Sequence, residues 1–181
     1  MQRTREDLAQ LQPHYPDLIN EVFDLTDSNR NIIFNMSLEE ATERVASGNP
    51  ERIAEIDGHF AIMARNNHIV RMARSLQLPL RYFIVKKVAG PALLIAERID
   101  QIRTWLDTHG FADQFHPSYT RMVPAHHLTE IALVGCPDPN PVCTRFFDPK
   151  QNCQDGNFGE VYIAELVSSI SKWLDQIPNH E

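Results

Sequence analysis

The stretch EIDGHFAIMARNNHIVRMARSLQLPLRYF, residues 55–83, decides the fold class of this chain. After Gly58, apolar and polar residues alternate in two segments, HFAIMAR and HIVRMAR, which Asn66 and Asn67 separate. Alternation with a period of two is typical of half-buried β-strands, and asparagine tolerates the positive φ of a tight hairpin turn. The stretch therefore predicts a β-hairpin.

Two more strand-like segments follow the hairpin. LRYFIVK and ALLIAE are rich in β-branched and aromatic residues or in leucine, and the Gly-Pro pair between them is a turn signal. Strands that follow one another through short turns pair mainly as antiparallel neighbours. We expect the four strands between residues 59 and 97 to form a mainly antiparallel sheet with the following helix on one face. The core should include Phe60, Ile62, Val70, Leu94 and either Tyr82 or Phe83.

Helices flank these strands. Ser37 and Glu40 form a Ser-x-x-Glu capping box, which opens a helix that runs through about Ala46 and is ended by the Gly-Asn-Pro sequence beyond it. A second helix is predicted over 98–109, before Gly110, because apolar residues recur there on one face. These residues are Ile99, Ile102, Trp105 and Leu106.

The remaining segments of the predicted domain give shorter signals. NIIFNM at 31–36 and HLTEIALV at 127–134 are predicted strands, whereas the three prolines of CPDPNP at 136–141 exclude regular structure. Scattered apolar residues over 2–12 and 17–23, with prolines between them, indicate a weak helix and a second short element. Helices together with mainly antiparallel strands predict an α+β fold.

Length and composition bound the class of protein. The chain has 181 residues, of which 43% are hydrophobic, so it can bury a core as one domain, which we place at residues 1–150. The net charge of −7 is spread without a basic patch, which argues against nucleic acid and membrane surfaces as partners. The N-terminal segment lacks the apolar core of a signal peptide, and no apolar run is long enough to span a bilayer. We therefore expect a cytoplasmic protein.

The last segment, residues 151–181, is predicted to be a linker followed by an amphipathic helix over 160–177. Apolar residues recur in this helix at steps of three and four, which gives one broad apolar stripe. They are Ile163, Leu166, Val167, Ile170, Trp173, Leu174 and Ile177. The stripe either packs on the core or docks on a partner, and its position after the predicted domain favours docking.

Six segments, read in order, carry a resemblance to a known family. They are IDGHFAI, VRMARS, PLRYF, LLIAERIDQI, RMVPAHHLTEI and TRFFDP, within residues 54–149. In this order and spacing they resemble the second half of the class II glutamine amidotransferase domain of asparagine synthetases and β-lactam synthetases. The resemblance implies the four-layer αββα sandwich of N-terminal-nucleophile hydrolases.

The resemblance also implies a chemistry whose residues are missing here. In that family the nucleophile is a cysteine at the mature N-terminus, whereas this chain begins with Met1 and Gln2. The family's Arg-His-Arg-Gly-Pro-Asp, Asn-Gly-Glu and Ser-Asp-Thr-Glu motifs do not occur before Asp57. The matching segments are altered as well, since Ser75 replaces an aspartate and Ala125 replaces a glycine. We therefore expect a domain that has lost the glutaminase chemistry.

The cysteines give no indication of a site. Cysteine spacings of seven and ten residues differ from the closely spaced thiol pairs of structural zinc sites, and an odd number disfavours a disulfide framework. A catalytic thiol in mid-chain would need surroundings that lower its pKa, and none is identifiable in the sequence. The three residues are Cys136, Cys143 and Cys153.

Two histidines and an aspartate are further candidates for metal ligands or catalytic residues. His126 and His127 are adjacent, so on a strand they would face opposite ways, which favours a structural turn over a pair of metal ligands. Asp57, followed by Gly58, is more typical of a turn than of an acid catalyst. The sequence therefore predicts no catalytic, cofactor-binding or metal-binding residue in this chain.

Two functional hypotheses follow. The first is a non-catalytic amidotransferase-like domain that serves as a scaffold for an ATP-dependent, amide-forming synthetase domain, in cis or in trans, through the 160–177 helix. The resemblance implies ATP and Mg²⁺ only for that further domain, and the helix could also drive self-association of the isolated chain. The second is a stand-alone binding protein for a small amide or peptide. A Ser-Gly-Gly-x-Asp-Ser pyrophosphate loop in the neighbouring coding sequence would favour the first.

Overall fold

The computed structural model of the chain describes residues 19–134, 140–148 and 157–175. Contacts between residues divide the chain into two units, one up to Phe147 and one from Asp148. The first unit contains β1 Glu21–Asp24, β2 Ile32–Ile33, α1 Leu38–Ser47, α2 Pro50–Ala54, β3 Gly58–His59, β4 Ala61–Asn66, β5 Ile69–Arg74, β6 Arg81–Val85, β7 Ala92–Ala96, α3 Ile99–Thr108, β8 Arg121–Met122, β9 His127–Ala132 and β10 Val142–Arg145. The second unit contains α4 Phe158–Leu174.

The described strands form two sheets of four strands and one short pair. In sheet A the order is β10-β9-β5-β4, and every pairing is antiparallel. In sheet B the order is β1-β7-β6-β8, where β1 runs parallel to β7 and the other pairings are antiparallel. β2 and β3 form the antiparallel short pair. The fold is therefore α+β with mainly antiparallel sheets.

Apolar side chains cover both faces of each sheet. The outer face of sheet A packs against α1 and α2 through Ala41, Val45 and Ile53, and the outer face of sheet B packs against α3 through Ile102 and Leu106. The cluster between the sheets includes Val70, Met72, Tyr82, Leu93, Ile95 and Ile131. The layers of the first unit therefore run helix, sheet, sheet, helix.

The predicted hairpin is confirmed, but its placement in a single four-stranded sheet is wrong. β4 and β5 pair around a turn where Asn67 has a φ of 52°. The four strands between residues 59 and 97 divide into two hairpins, β4–β5 in sheet A and β6–β7 in sheet B. The connection at 75–80 crosses between the sheets, and its Leu78 and Leu80 are buried in the inner cluster. Burial of these two side chains favours the crossing over continued pairing.

The predicted core residues and the two helices predicted at 37–46 and 98–109 are confirmed. Ser37 caps α1 by accepting a hydrogen bond from the N–H of Glu40 at 3.1 Å, and Gly48 ends the helix with a φ of 67°. Gly110 follows α3 with a φ of 79°. α2 was not predicted from the sequence, and it begins at Pro50 because proline fits the first helical turn. The buried core residues are Phe60, Ile62, Val70, Tyr82, Phe83 and Leu94.

The weaker strand predictions are confirmed only in part. The predicted strand at 31–36 is reduced to Ile32–Ile33, and the one at 127–134 is His127–Ala132. β10 was not predicted, and β1 occupies part of the short element expected at 17–23. The predicted helix at 2–12 and most of CPDPNP lie outside the described residues.

A buried ion pair joins the centre of sheet A to α1. Arg71 on β5 lies opposite Glu130 on β9, and its Nε donates to Glu130 Oε1 at 2.8 Å. Arg71 Nη1 also donates to the carbonyl of Ala46, in the last turn of α1, at 2.6 Å. One guanidinium therefore binds both an oxygen of a carboxylate that is 1% exposed and a helix-terminal carbonyl.

In the second unit, the predicted C-terminal helix is confirmed over Phe158–Leu174. The side chain of Asn157 caps it by accepting a hydrogen bond from the N–H of Gly159 at 3.2 Å. The large apolar side chains described in this helix are between 43% and 60% exposed. Within the described ranges, no helix combines the length and the apolar character needed to traverse a bilayer.

Candidate functional site

A cavity of about 350 Å³ lies at one end of sheet A. The strands are antiparallel, so the ends of β5 and β10 and the starts of β4 and β9 meet there. Ser75 follows β5, Phe60 precedes β4, His126 precedes β9, and Phe146 with Phe147 follows β10. All five residues line the cavity, and its remaining wall is formed by residues 54–58.

Hydrogen bonds continue the sheet pairing into this cavity. The N–H of Ser75 donates to the carbonyl of Phe60 at 2.8 Å, and the Ser75 hydroxyl accepts from the N–H of Phe60 at 3.0 Å. The N–H of His126 donates to the carbonyl of Arg74, and the N–H of Phe146 donates to the carbonyl of His126, both at 3.0 Å. Four separate parts of the chain are therefore fixed relative to one another at the backbone.

His126 has the most distinctive geometry in the cavity. Its φ is 59°, in the left-handed region that histidine enters more readily than most residues. Its imidazole lies 4.9 Å from the Phe147 ring and 6.1 Å from the Phe146 ring, measured between centroids. Among the described residues, the His126 side chain makes no hydrogen bond. The ring therefore lines the cavity, and neither of its nitrogens is hydrogen-bonded to a described residue.

Burial and the charges around His126 both favour its neutral imidazole. Burial lowers the pKa of His126 below its ordinary value of 6.5, and the positive charges of Arg145, Arg74 and His127 lower it further. Within the described part of the chain, no carboxylate acts to raise the pKa of this imidazole. The surroundings of the ring are therefore electropositive.

Arg74 supplies one of these charges from a largely buried position. It is 7% exposed, and its guanidinium donates to main-chain carbonyls, including those of Val123 at 2.6 Å and Leu78 at 3.3 Å. Burial lowers the pKa of Arg74, and the charge of Arg81 adds to the effect. Its bonds to the 75–78 segment hold the crossover between the sheets next to the cavity.

The wall at residues 54–58 is fixed by Asn35. Its Nδ2 donates to the carbonyl of Glu55 at 2.7 Å, and its Oδ1 accepts from the N–H of Asp57 at 3.0 Å. Gly58 has a φ of 147°, and a Cβ there would lie 2.1 Å from the carbonyl oxygen of Ile32. This position therefore excludes every side chain.

The carboxylate of Glu55 is engaged on the solvent side of this wall. It forms an ion pair with Arg44, which also pairs with Glu40 at 2.9 Å. Asp57 contributes its main-chain groups to the wall through Asn35, and its carbonyl accepts from the N–H of Phe34 at 2.9 Å. The expected turn at Asp57-Gly58 is therefore part of the cavity.

The other candidate residues lie apart or outside the described residues. Cys143 is on β10, where its sulfur lies 3.4 Å from the Thr129 hydroxyl, and Cys136 and Cys153 fall outside the described ranges. His127 begins β9, with Nδ1 2.7 Å from the carbonyl of Ala125. Across residues 19–134, 140–148 and 157–175, no group of three or more His, Cys, Asp or Glu side chains could hold a metal ion.

A second cavity, of about 390 Å³, runs along α3. It is lined by Trp105, whose ring stacks on His109 at 3.9 Å, and by Leu25. Two of its polar side chains have partners, since Gln101 donates to the carbonyl of Leu25 and Asp100 pairs with Arg98. We therefore take the cavity at His126 as the candidate site.

The chain was compared with protein-family models and with curated protein sequences. No protein-family model matches the chain, and no curated protein sequence is similar to it at a significant level. The resemblance therefore rests on the six segments alone. Four of them, IDGHFAI, VRMARS, RMVPAHHLTEI and TRFFDP, contribute residues to the cavity.

The meeting of these side chains around one cavity could not be predicted from the individual residues of the sequence. The five side chains that surround the cavity come from positions between 60 and 147, and none belongs to a recognised ligand spacing. The occurrence of the four segments in one chain is the feature of the sequence that could have indicated a site. It supports the family resemblance, but it was not interpreted as a site.

Proposed function

We propose that this chain is a non-catalytic domain of the class II glutamine amidotransferase type. In this proposal it serves as a scaffold for an ATP-dependent synthetase domain that forms amide or lactam bonds. It would act in the cytoplasm, where ATP is supplied. ATP and Mg²⁺ would be bound by the synthetase domain rather than by this chain.

The observation that carries the proposal is the layer order of the first unit. Its helix, sheet, sheet, helix arrangement is the one expected for the N-terminal-nucleophile hydrolase sandwich. The six segments occur along it in the order expected from the resemblance, within residues 54–149. Convergence of four segments on one cavity gives a further reason to treat their order as meaningful.

The loss of chemistry in the proposal rests on the missing glutamine-binding motifs. The family's Arg-His-Arg-Gly-Pro-Asp, Asn-Gly-Glu and Ser-Asp-Thr-Glu motifs do not occur in these 181 residues. Among the residues that the structure describes, Cys143 carries an exposed thiol, and its sulfur lies 3.4 Å from the Thr129 hydroxyl. A cysteine nucleophile would need a general base within hydrogen-bond reach.

The proposed attachment point is α4. Its apolar side chains are exposed, and six of them lie on the predicted stripe: Ile163, Leu166, Val167, Ile170, Trp173 and Leu174. An apolar stripe of this width exceeds a two-stranded coiled-coil seam and suits burial against a larger partner surface. We therefore assign α4 to contact with the synthetase domain, in cis or in trans.

The test is to express the chain together with the coding sequence that follows or adjoins it. We expect that sequence to encode a Ser-Gly-Gly-x-Asp-Ser loop, and its product to purify with this chain and to release pyrophosphate from ATP. Leu166→Lys with Ile170→Lys should abolish the association. Flanking sequence without such a loop, or a synthetase that does not associate with the chain, would refute the proposal.

The cavity at His126 favours a second candidate function, a stand-alone binding protein for a small amide or peptide. Its volume of about 350 Å³ lies within the range of small-molecule sites. The same co-expression experiment separates the two candidates, because a stand-alone protein requires no synthetase partner.

A further inference from the structure

We propose that the cavity at His126 binds a small carboxylate that carries an aromatic or similarly flat apolar group. The proposal concerns a ligand site, is independent of the scaffold function, and assigns the cavity a carboxylate in place of the amide of the second candidate function. It follows from three properties of the cavity, namely its aromatic walls, the uncommitted imidazole and the sign of the surrounding charge.

The walls favour a flat apolar group. Phe60 and Phe146 lie with their ring centroids 6.1 Å apart and their planes 26° apart, and Phe147 closes the side next to His126. Phe60 is 2% exposed and forms part of the core, so this wall is rigid. Aromatic rings that line a preformed cleft gain free energy by burying a ligand's apolar surface and by stacking.

The imidazole of His126 supplies the polar contact. Two main-chain hydrogen bonds, to Arg74 and from Phe146, fix the position of this residue, and its ring makes no hydrogen bond within the described part of the chain. A neutral imidazole offers one N–H donor, and a carboxylate is a stronger acceptor for it than a neutral oxygen.

The surrounding charges decide in favour of an anion. The permanent cations that act on His126 are Arg74 on β5 and Arg145 on β10, and a protonated His127 on β9 adds to them. On the facing wall, Glu55 is paired with Arg44, and neither Glu55 nor Asp57 is among the charges that shift the pKa of His126. A bound carboxylate would be stabilised by the nearby cations and would raise the pKa of His126, because opposite charges favour the protonated imidazole.

Three probes of nearly the same shape test the proposal: phenylacetate, phenylacetamide and 2-phenylethylamine. Calorimetric titration of the full chain should detect phenylacetate, with the amide at least about tenfold weaker and the amine not bound. The affinity for phenylacetate should rise as the pH falls through the pKa of His126, while that for the amide stays constant. Equal or tighter binding of the amide or the amine, or no binding of any probe, would overturn the proposal.

Variants locate the site. His126→Asn retains a residue that tolerates the left-handed backbone, removes the imidazole and should abolish phenylacetate binding. His116→Asn is the matched control, because His116 caps a short helical turn outside the cavity, and it should bind as the original chain does. Arg145→Gln should weaken binding several-fold, whereas Arg145→Lys should retain most of it.

NMR spectroscopy of the original chain tests the site even if His126→Asn does not fold. The Cε1 proton of His126 should shift in the NMR spectrum on addition of phenylacetate, and its titration midpoint should move to higher pH. An unshifted His126 resonance at saturating phenylacetate would place the ligand elsewhere.

Discussion

The carbonyl of Arg74 accepts a hydrogen bond of 3.0 Å from the N–H of His126. This bond joins the end of β5 to the turn before β9 and holds an imidazole near a guanidinium that is 7% exposed. The backbone of His126 cannot move away from the cation without breaking main-chain pairing. Burial and this placement next to Arg74 both lower the pKa of His126.

A pH dependence of stability follows from this arrangement. The pKa of His126 is lowered in the folded state, so between that value and about pH 6.5 the unfolded chain binds more protons at this residue. The contribution of His126 to the free energy of unfolding is thus fully present above about pH 6.5 and is lost as the pH falls toward the folded pKa. Urea unfolding from pH 7.5 downward should show a shallower loss of stability for His126→Asn than for His116→Asn.

The direct check is an NMR titration of the His126 resonances, whose midpoint should lie below 6.5. A midpoint above that value would contradict the electropositive surroundings described for the cavity.

Two glycines with positive φ should differ sharply in their tolerance of alanine. A Cβ on Gly58 would overlap the carbonyl oxygen of Ile32, whereas nothing lies within 4 Å of one on Gly110. Gly110→Ala should cost about 1–2 kcal/mol, from the left-handed conformation alone. Gly58→Ala must also displace β2 from β3, and its loss in the free energy of unfolding should be clearly larger. Equal losses for the two variants in chemical denaturation would mean that the β2–β3 contact is not tight.

The local elements were predictable because their signals are short-range. Asn67 in the hairpin turn, the Ser37 cap and the alternation through Val70 each depend on a few neighbouring residues. The assignment of the two hairpins to different sheets was not predictable, because it depends on where Leu78 and Leu80 find apolar partners. β10 was missed for a similar reason, since four residues become a strand only beside β9.

Prediction of the cavity would likewise have required contacts between residues that are far apart in the sequence. Taken separately, Ser75 indicates only the end of a strand and His126 only a turn. The antiparallel pairing of β5 with β9 is what brings the two residues together. The resemblance gave the order of the segments but no distance between them.

The proposed absence of glutaminase chemistry gives an activity prediction. The purified chain should release no ammonia from glutamine above background, because its sequence does not contain the glutamine-binding motif of the family it resembles. Ammonia is measured with a coupled glutamate dehydrogenase assay, with and without an alkylating agent. Turnover that the alkylating agent abolishes would contradict the prediction and identify a working thiol.

The exposed stripe on α4 gives a prediction about association. Leu166→Lys with Ile170→Lys should leave the melting transition of the first unit unchanged, and it should remove any self-association of the chain. Ser168→Lys with Ser171→Lys adds the same charge at positions outside the stripe, and it should change neither property. Calorimetry and sedimentation velocity measure the two effects. Cooperative unfolding of the whole chain by the leucine and isoleucine changes would make α4 an integral part of the core.

The pairing of Arg71 with Glu130 also bears on the order in which the protein emerges from the ribosome. β4 and β5 are complete once Arg74 has been synthesised, but β9, the other neighbour of β5, ends at Ala132. Until then one edge of β5 has no partner, and an apolar edge of this kind recruits strands from other nascent chains. The positive charge of Arg71 in the middle of that edge opposes such recruitment, and Glu130 neutralises it when β9 arrives. We expect Arg71→Val to increase aggregation of chains released before β9, measured by light scattering during cell-free translation, more than it affects the completed protein.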